Sequence, residues 1–148
     1  MRRKGPWSQE HLERFLSEAR IPLRLACNGA SGAPVLASLW FVPIEGRLWC
    51  ATQRSAHVVS HLARDPRCAF EVAVDTPPYR GVRGQGLARL HDAQGEPILR
   101  TLVRRYLEDP SSEFARWLLS RADRETAIEI EPRALVTWDY GRRMSPAD

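Results

Sequence analysis

Short apolar segments, each closed by turn-forming residues, fill most of the chain between residues 23 and 140. The clearest segment runs from Arg67 to Val74, where apolar and less apolar positions alternate and one face carries Cys68, Phe70, Val72 and Val74. Alternation with a period of two is the pattern of a β-strand that is buried on one side. The pattern therefore predicts a fold that is built mainly on a β-sheet.

The same signals predict further strands on both sides of this segment. Residues 34–42 form a nearly continuous apolar run, which favours a strand covered on both faces. Residues 80–90 are interrupted by Gly81, Gly84 and Gly86, and glycine inside a strand often marks a bulge or a close approach of backbone or ligand. The remaining predicted strands are 23–27, 47–52, 128–131 and 134–140.

Segments with helical spacing lie between the strands. The first begins after Ser8, a good N-cap, and ends before Pro22. The others are 56–64, a helix that Pro97 can start, and one that carries Phe114, Trp117 and Leu118. Because strands and helices do not alternate regularly, a doubly wound parallel sheet is disfavoured. About six strands with hairpin connections instead predict a mostly β (α+β) barrel with flanking helices.

Length and composition indicate the number of domains and the cellular compartment. The 148 residues suit one domain with one core, and the polar tail from Gly141 is expected to be mobile. No apolar run reaches the ~20 residues of a membrane span, and the basic N-terminus leads into polar residues rather than an apolar signal core. Cys27, Cys50 and Cys68 form no C-x-x-C pair, so we expect them to be buried as small hydrophobes. These features predict a cytoplasmic protein with no membrane partner.

The formal net charge of +4 raises the question of nucleic-acid binding. The arginines are scattered along the whole chain, and no basic run is longer than three residues. The sequence also lacks the interleaving of aromatic and basic residues that is typical of single-strand binders. We therefore expect no nucleic-acid partner.

The segment Gly46–His57 is the richest in side chains that bind ligands. A predicted strand runs into Thr52, Arg54 and Ser55, and a helix begins directly afterwards. A helix N-terminus offers unpaired N–H groups and a partial positive charge. Hydroxyls, a guanidinium and the His57 imidazole beside it make a candidate phosphate site. The alternative is that Ser55 only caps the helix and Arg54 is a solvated surface charge.

Several short motifs follow one another in a specific order between residues 32 and 90. They are Gly32-Ala33-Pro34, Gly46-Arg47-Leu48-Trp49, Arg54-Ser55-Ala56-His57, Arg64-Asp65-Pro66-Arg67 and Arg80-Gly81-Val82-Arg83-Gly84-Gln85-Gly86-Leu87-Ala88. In order and spacing, the stretch 34–90 resembles the family of flavin-binding split barrels that includes pyridoxamine-phosphate oxidase. The last two predicted strands and Trp138 also fit the plan of that family.

The resemblance implies a six-stranded antiparallel split β-barrel and a homodimer with a flavin across the subunit interface. The strand that holds Ser38, Leu39 and Trp40 matches the one that lies along the isoalloxazine ring, largely through backbone groups. The phosphate segment is matched by Thr52, Arg54, Ser55 and His57, and Arg83 lies on a strand that also contributes to the cofactor site. FMN is the expected cofactor. A deazaflavin is the alternative, since both carry a ribityl-phosphate-like arm and a three-ring head.

Departures from the family pattern refine the expected activity. His57 stands where family members often have lysine, and Ala37 and Val42 stand where true pyridoxamine-phosphate oxidases have arginine and lysine. Oxidation of pyridoxamine phosphate is therefore not expected, and a reductase-like relative fits better. We predict an oxidoreductase that moves a hydride between the cofactor and a small-molecule substrate, with no side chain assigned as catalytic. The alternative is a flavin- or haem-binding module without turnover.

Two further pairs of side chains are candidates for ligand contacts. His57 and His61 have the i, i+4 spacing of two metal ligands, but no third ligand is apparent nearby, so no metal is expected. Trp40 and Trp49 lie on neighbouring predicted strands. Packing in the core or at a dimer interface is the simpler interpretation of these two rings, and contact with the flavin is the alternative.

Overall fold

The structure, a computed structural model, describes residues 1–144 and 146. The predicted mobile tail from Gly141 therefore lies partly outside the described residues. The strands are β1 Arg2–Lys4, β2 Leu23–Asn28, β3 Pro34–Leu39, β4 Val42–Ile44, β5 Arg47–Gln53, β6 Arg67–Ala73, β7 Arg80–His91 and β8 Glu125–Asp139. The α-helices are α1 Gln9–Glu18, α2 His57–Arg64, α3 Gly95–Tyr106 and α4 Glu113–Leu119, and short 3-10 helices cover Asp92–Gln94 and Ala122–Arg124.

The strands form one twisted sheet in the order β3-β2-β6-β7-β8-β5-β4. Every pair along this path is antiparallel, and β1 adds to β8 in parallel. The longest pairing, which we call the seam, joins β7 and β8 from Arg80 to His91. At the other side β3 approaches β5 without pairing to it, and we call this gap the split. The predicted mostly antiparallel split barrel with flanking helices is confirmed.

The number of strands differs from the prediction of six, because the described residues contain eight. The last two predicted strands are one continuous strand, β8. Near Pro132 its pairing with β7 shifts register between Gln85 and Gly86. A Cβ on Gly86 would lie 2.3 Å from the carbonyl oxygen of Glu131, so this bulge requires glycine. The basic strand β1 carries no apolar pattern and was not predicted.

The apolar run 34–42 also departs from the prediction. It is divided into β3 and β4 by Trp40 and Phe41 rather than forming one strand. Nor is it covered on both faces in the single chain, because β3 is an edge strand and Leu36 is 75% exposed. Only Phe41 within this run is fully buried.

The main core lies inside the barrel. Its fully buried side chains include Leu23, Leu25, Phe41, Cys50, Ile128 and Ile130. Helix α1 adds Leu12 and Phe15 to this core, and the Ser8 hydroxyl accepts a hydrogen bond from the His11 N–H at 3.1 Å, as expected of an N-cap. A second cluster joins α3 and α4 and packs against Trp40. The two helices therefore cover the barrel beside the split.

The three cysteines are free and buried, as predicted. Burial raises the pKa of the Cys68 thiol to about 12 and raises the pKa of Cys50 further. These thiols therefore stay protonated at neutral pH and pack as small apolar groups.

Among the residues that the structure describes, no helix is both long enough and apolar enough to cross a membrane.

Candidate functional site

A cavity of about 310 Å³ lies in the split, between the two strands and the helices that cover them; we call it the split cavity. Small-molecule sites begin at about this size. Its walls are formed by Ser38, Leu39, Trp40, Ala51, Thr52, Gln53, Leu99, Leu102, Phe114, Trp117, Leu118, Arg121 and Glu125. Of the predicted site residues, the structure therefore brings Ser38, Leu39, Trp40 and Thr52 together around one cavity.

Tyr106 of α3 holds the chain at the point where β3 ends. Its hydroxyl accepts a hydrogen bond from the Phe41 N–H at 3.1 Å and donates one to the Ile21 carbonyl at 2.9 Å. Its ring stacks on Trp40, with centroids 5.0 Å apart and planes 6° apart. Burial raises the pKa of Tyr106, so the hydroxyl remains a donor at neutral pH. These contacts fix the Trp40 ring in the wall of the split cavity.

The two tryptophans that the sequence pairs have different roles. Trp40 packs on Tyr106 and also lines the split cavity, so it combines the core interpretation with access to a ligand. Trp49 lies elsewhere on β5, and its ring contacts His91 at 5.3 Å between centroids. Trp49 is not part of the cavity wall.

Exposed aromatic side chains of α4 form the rim of the split cavity. Phe114 and Trp117 are 51% and 52% exposed, and their rings lie 6.1 Å apart. The Arg121 guanidinium lies 4.6 Å from the centre of the Trp117 ring, a cation–π contact. Ser112 caps the helix by accepting a hydrogen bond from the Ala115 N–H at 3.1 Å. The rim is therefore an aromatic surface, with Trp117 in contact with Phe114 and Arg121, on which a planar ligand can stack.

Glu125 is the polar residue at the floor of the split cavity. It is 7% exposed, and its Oε2 atom has no hydrogen-bond partner among the described residues. Burial raises the pKa of the Glu125 carboxyl, and the neighbouring Gln53 and Arg121 oppose this shift in part. Gln53 lies directly opposite Glu125 on β5, and its amide donates to the Arg121 carbonyl at 3.2 Å.

The close packing of α3 against β8 explains why Glu125 is buried. A Cβ on Gly95, the first residue of α3, would lie 2.2 Å from the Glu125 carbonyl oxygen. Only glycine lets the helix begin this near the strand. Sequence reasoning missed Glu125 because the predicted strand starts at residue 128, and no local pattern marks a lone glutamate before it as buried.

Arg54, Ser55 and His57 lie just beyond β5, and all three are exposed. The Arg54 backbone N–H donates to the Arg124 carbonyl at 2.8 Å, and the Arg54 guanidinium donates to the Asp123 carbonyl. Ala56 is the N-cap of α2, so the alternative role of Ser55 as the capping side chain is wrong. The Ser55 hydroxyl and the His57 ring have no hydrogen-bond partner within the described residues. Both remain available to a ligand beside the split cavity.

Arg83 is the predicted site residue that the structure places elsewhere. It is exposed on β7, with its guanidinium 5.0 Å from the centre of the Trp138 ring. It borders a separate concavity of about 560 Å³ on the outer face of the sheet, beside Leu36 and Val136. Within one chain, Arg83 therefore does not reach the split cavity.

His57 and His61 of α2 are the remaining pair that the sequence singles out. Residues 1–144 and 146 contain no group of three or more histidine, cysteine, aspartate or glutamate side chains arranged to hold a metal ion. His57 is exposed and His61 is half-buried on α2. The split cavity is therefore the arrangement that concentrates aromatic, apolar and polar groups in one place.

An antiparallel barrel that is open at one side and holds a cavity at that opening has the architecture of the split β-barrel class. The family model described as pyridoxamine 5'-phosphate oxidase matches residues 8–139, and the chain belongs to this family.

Solved structures agree with the fold. A conserved hypothetical protein, Rv2991, from Mycobacterium tuberculosis is 24% identical with a TM-score of 0.79, over 97% of this chain and 91% of that chain. An F420 reductase is 20% identical with a TM-score of 0.70, over 82% and 94%. The haem storage protein HutZ from Vibrio cholerae is 15% identical with a TM-score of 0.65, over 86% and 92%. At these identities the likeness concerns the fold alone. No protein of curated function matches the sequence.

Proposed function

We propose that the protein is a homodimeric oxidoreductase that binds FMN and moves a hydride to or from a small organic substrate. A deazaflavin is the alternative cofactor. The observation that carries this proposal is the split cavity, because Ser38, Leu39, Trp40 and Thr52 all line it while Arg54, Ser55 and His57 lie directly beyond β5. The first group matches the ring segment of the family and the second the phosphate segment.

The residues at the split fit a cofactor with a planar head and a phosphate arm. Hydroxyl and imidazole groups at Ser55 and His57 are free to donate, and the Arg54 guanidinium is exposed beside them. The head would lie at the opening of the split cavity, along the backbone of β3. Bound there, the cofactor supplies the hydride chemistry.

The chain's own part is to hold the ring, exclude water and leave room for the substrate. Trp40, fixed by Tyr106, and Leu39 present apolar surface at the opening of the cavity. Phe114 and Trp117 of the rim close it from the helix side. The proposal requires no side chain at the split to transfer a proton, so we propose no catalytic residue.

The outer face of the sheet supports the dimer. Leu36 and Val136 are 75% and 36% exposed there, and the charged Arg24, Glu71 and Arg83 surround them. An exposed apolar patch with opposite charges at its border suits a two-fold contact with a second copy. We propose that this contact covers β3 and brings Arg83 to the cofactor of the partner subunit.

The names of two similar structures define the competing outcomes. An F420 reductase favours the deazaflavin, and a haem storage protein favours a module that binds haem without turnover. Titration of the purified protein with FMN, with a deazaflavin and with haem, followed by absorbance and fluorescence, separates the three. We expect tight binding of FMN and oxidation of the reduced ring by substrate. A protein that takes up neither flavin overturns the proposal. We retain the expectation of a cytoplasmic setting without nucleic-acid or membrane partners.

Replacement of Arg54 tests the phosphate segment. A charge-assisted hydrogen bond contributes roughly 1.5–3 kcal/mol, so Arg54→Ala should weaken FMN binding by about 10- to 150-fold. Arg116→Ala, at an exposed position of α4, is the matched control and should leave the affinity unchanged. Unchanged affinity in Arg54→Ala would place the phosphate elsewhere on the chain.

A further inference from the structure

The floor and the rim of the split cavity differ in chemistry. The rim consists of exposed aromatic rings, Phe114 and Trp117, whereas the floor carries one carboxyl, Glu125, that is 7% exposed. A buried carboxyl oxygen without a partner costs free energy, and the cost is recovered when a donor reaches it. The Oε2 atom of Glu125 is such an oxygen, and Glu125 lines the cavity.

We infer that the split cavity is a substrate subsite for a planar ring that carries a hydrogen-bond donor, best a cationic one such as an amidinium or a protonated ring nitrogen. The ring stacks at the aromatic rim, and the donor meets the Glu125 carboxyl at the floor once that carboxyl turns its enclosed Oε2 atom towards the cavity. The role of this ligand as substrate rests on the proposed function, because the cofactor head would lie across the opening of the same cavity. The binding chemistry of the cavity itself does not depend on it.

Arg121 is the other charged residue in the cavity wall, and its charge acts on the Glu125 carboxyl. Its guanidinium lies over the Trp117 ring at 4.6 Å, on the rim side. Its backbone carbonyl, in contrast, accepts the Gln53 amide near the floor. A cationic donor that points inwards therefore lies away from the rim guanidinium, whereas an anionic group that points inwards lies beside the Glu125 carboxyl.

Three probes of nearly the same shape test the subsite: benzamidine, which is cationic, benzamide, which is neutral, and benzoate, which is anionic. Binding to the full chain is followed by quenching of tryptophan fluorescence, since Trp40 and Trp117 line the cavity. We expect benzamidine to bind most tightly and benzoate least. In Glu125→Gln, the affinity for benzamidine should fall by about tenfold relative to benzamide, the loss of one charge-assisted hydrogen bond.

Glu113→Gln is the matched control, because Glu113 is an exposed glutamate at the start of α4 and is not part of the cavity wall. It should retain the wild-type order of the probes. Glu125→Gln keeps the size of the side chain and replaces the buried carboxyl with a neutral amide, so it should fold, and circular dichroism with thermal unfolding checks this. Tighter binding of benzoate than of benzamidine, the same order in Glu125→Gln, or no binding of any probe overturns the subsite.

Titration with FMN and a deazaflavin in the same three proteins keeps this inference apart from the proposed function. If the probes bind in the expected order and neither cofactor binds, the proposed function fails and the donor-selective cavity stands. If a cofactor binds and the probe order is wrong, the subsite fails and the proposed function stands.

Discussion

The seam and the split differ in strand pairing and in the burial of their side chains. At the seam, β7 and β8 pair from Arg80 to His91, and Ile128 and Ile130 within this pairing are fully buried. At the split, β3 and β5 do not pair, Trp117 is 52% exposed, and Glu125 is buried with an oxygen unpaired. The seam is held by a long backbone ladder and buried apolar side chains, whereas the split leaves apolar surface exposed and the Glu125 carboxyl without a full set of partners. The comparison predicts that substitutions at the seam mainly change stability, whereas substitutions at the split mainly change the proposed ligand binding.

A substitution that creates a cavity at the seam is the strongest test of this comparison. Ile128→Ala should lower the free energy of unfolding by about 2–5 kcal/mol, because the side chain is fully buried and its removal leaves a void. Ile44→Ala makes the same chemical change at a position that is 38% exposed on β4, and should cost much less. Urea unfolding measures both. Equal losses in the two variants would mean that the seam contributes no more than an edge strand.

The sequence predicted β6 and α1 better than it predicted the split. Local alternation predicted β6, because successive residues of a strand face opposite sides of the sheet and β6 buries one of those sides. Helical spacing after the N-cap Ser8 predicted α1. The division of the run 34–42 was missed because Tyr106, distant in sequence, binds the Phe41 N–H. The burial of Glu125 was missed for the same kind of reason, since it follows from the approach of α3 at Gly95.

Tyr106 contributes both to the stability of the fold and to the shape of the split cavity. Tyr106→Phe leaves the part-buried Phe41 N–H and Ile21 carbonyl without their partner, which should cost about 1–3 kcal/mol of unfolding free energy. Since Trp40 stacks on this ring and lines the cavity, cofactor affinity should fall as well. Tyr79→Phe removes the hydroxyl of an exposed tyrosine and is the control. A loss of stability with unchanged cofactor affinity would show that Tyr106 stabilises the fold but does not support the binding site at the split.

The smallest expected effect is electrostatic and lies away from the split. The Asp65 carboxylate accepts hydrogen bonds from Arg67 Nη2 at 2.8 Å and from Asn28 Nδ2 at 3.0 Å, and these contacts join the end of β2 to the start of β6. They hold the pKa of Asp65 well below its usual range, with the Arg67 side chain as the main cause. A carboxyl with a depressed folded-state pKa contributes stability above its unfolded-state pKa, about 3.9, and loses it as the pH falls towards the folded-state value.

Asp65→Asn should therefore be less stable than the wild type at neutral pH, and the difference should shrink as the pH falls below about 4. Exposure of the Arg67 side chain, at 75%, keeps the effect small, because solvent screens the ion pair. Asp75→Asn, at an exposed position in the loop after β6, is the matched control. Urea midpoints of the three proteins at pH 7 and pH 3 measure the difference. A gap between the wild type and Asp65→Asn that stays constant with pH would show that Asp65 acts by its shape at the turn rather than by its charge.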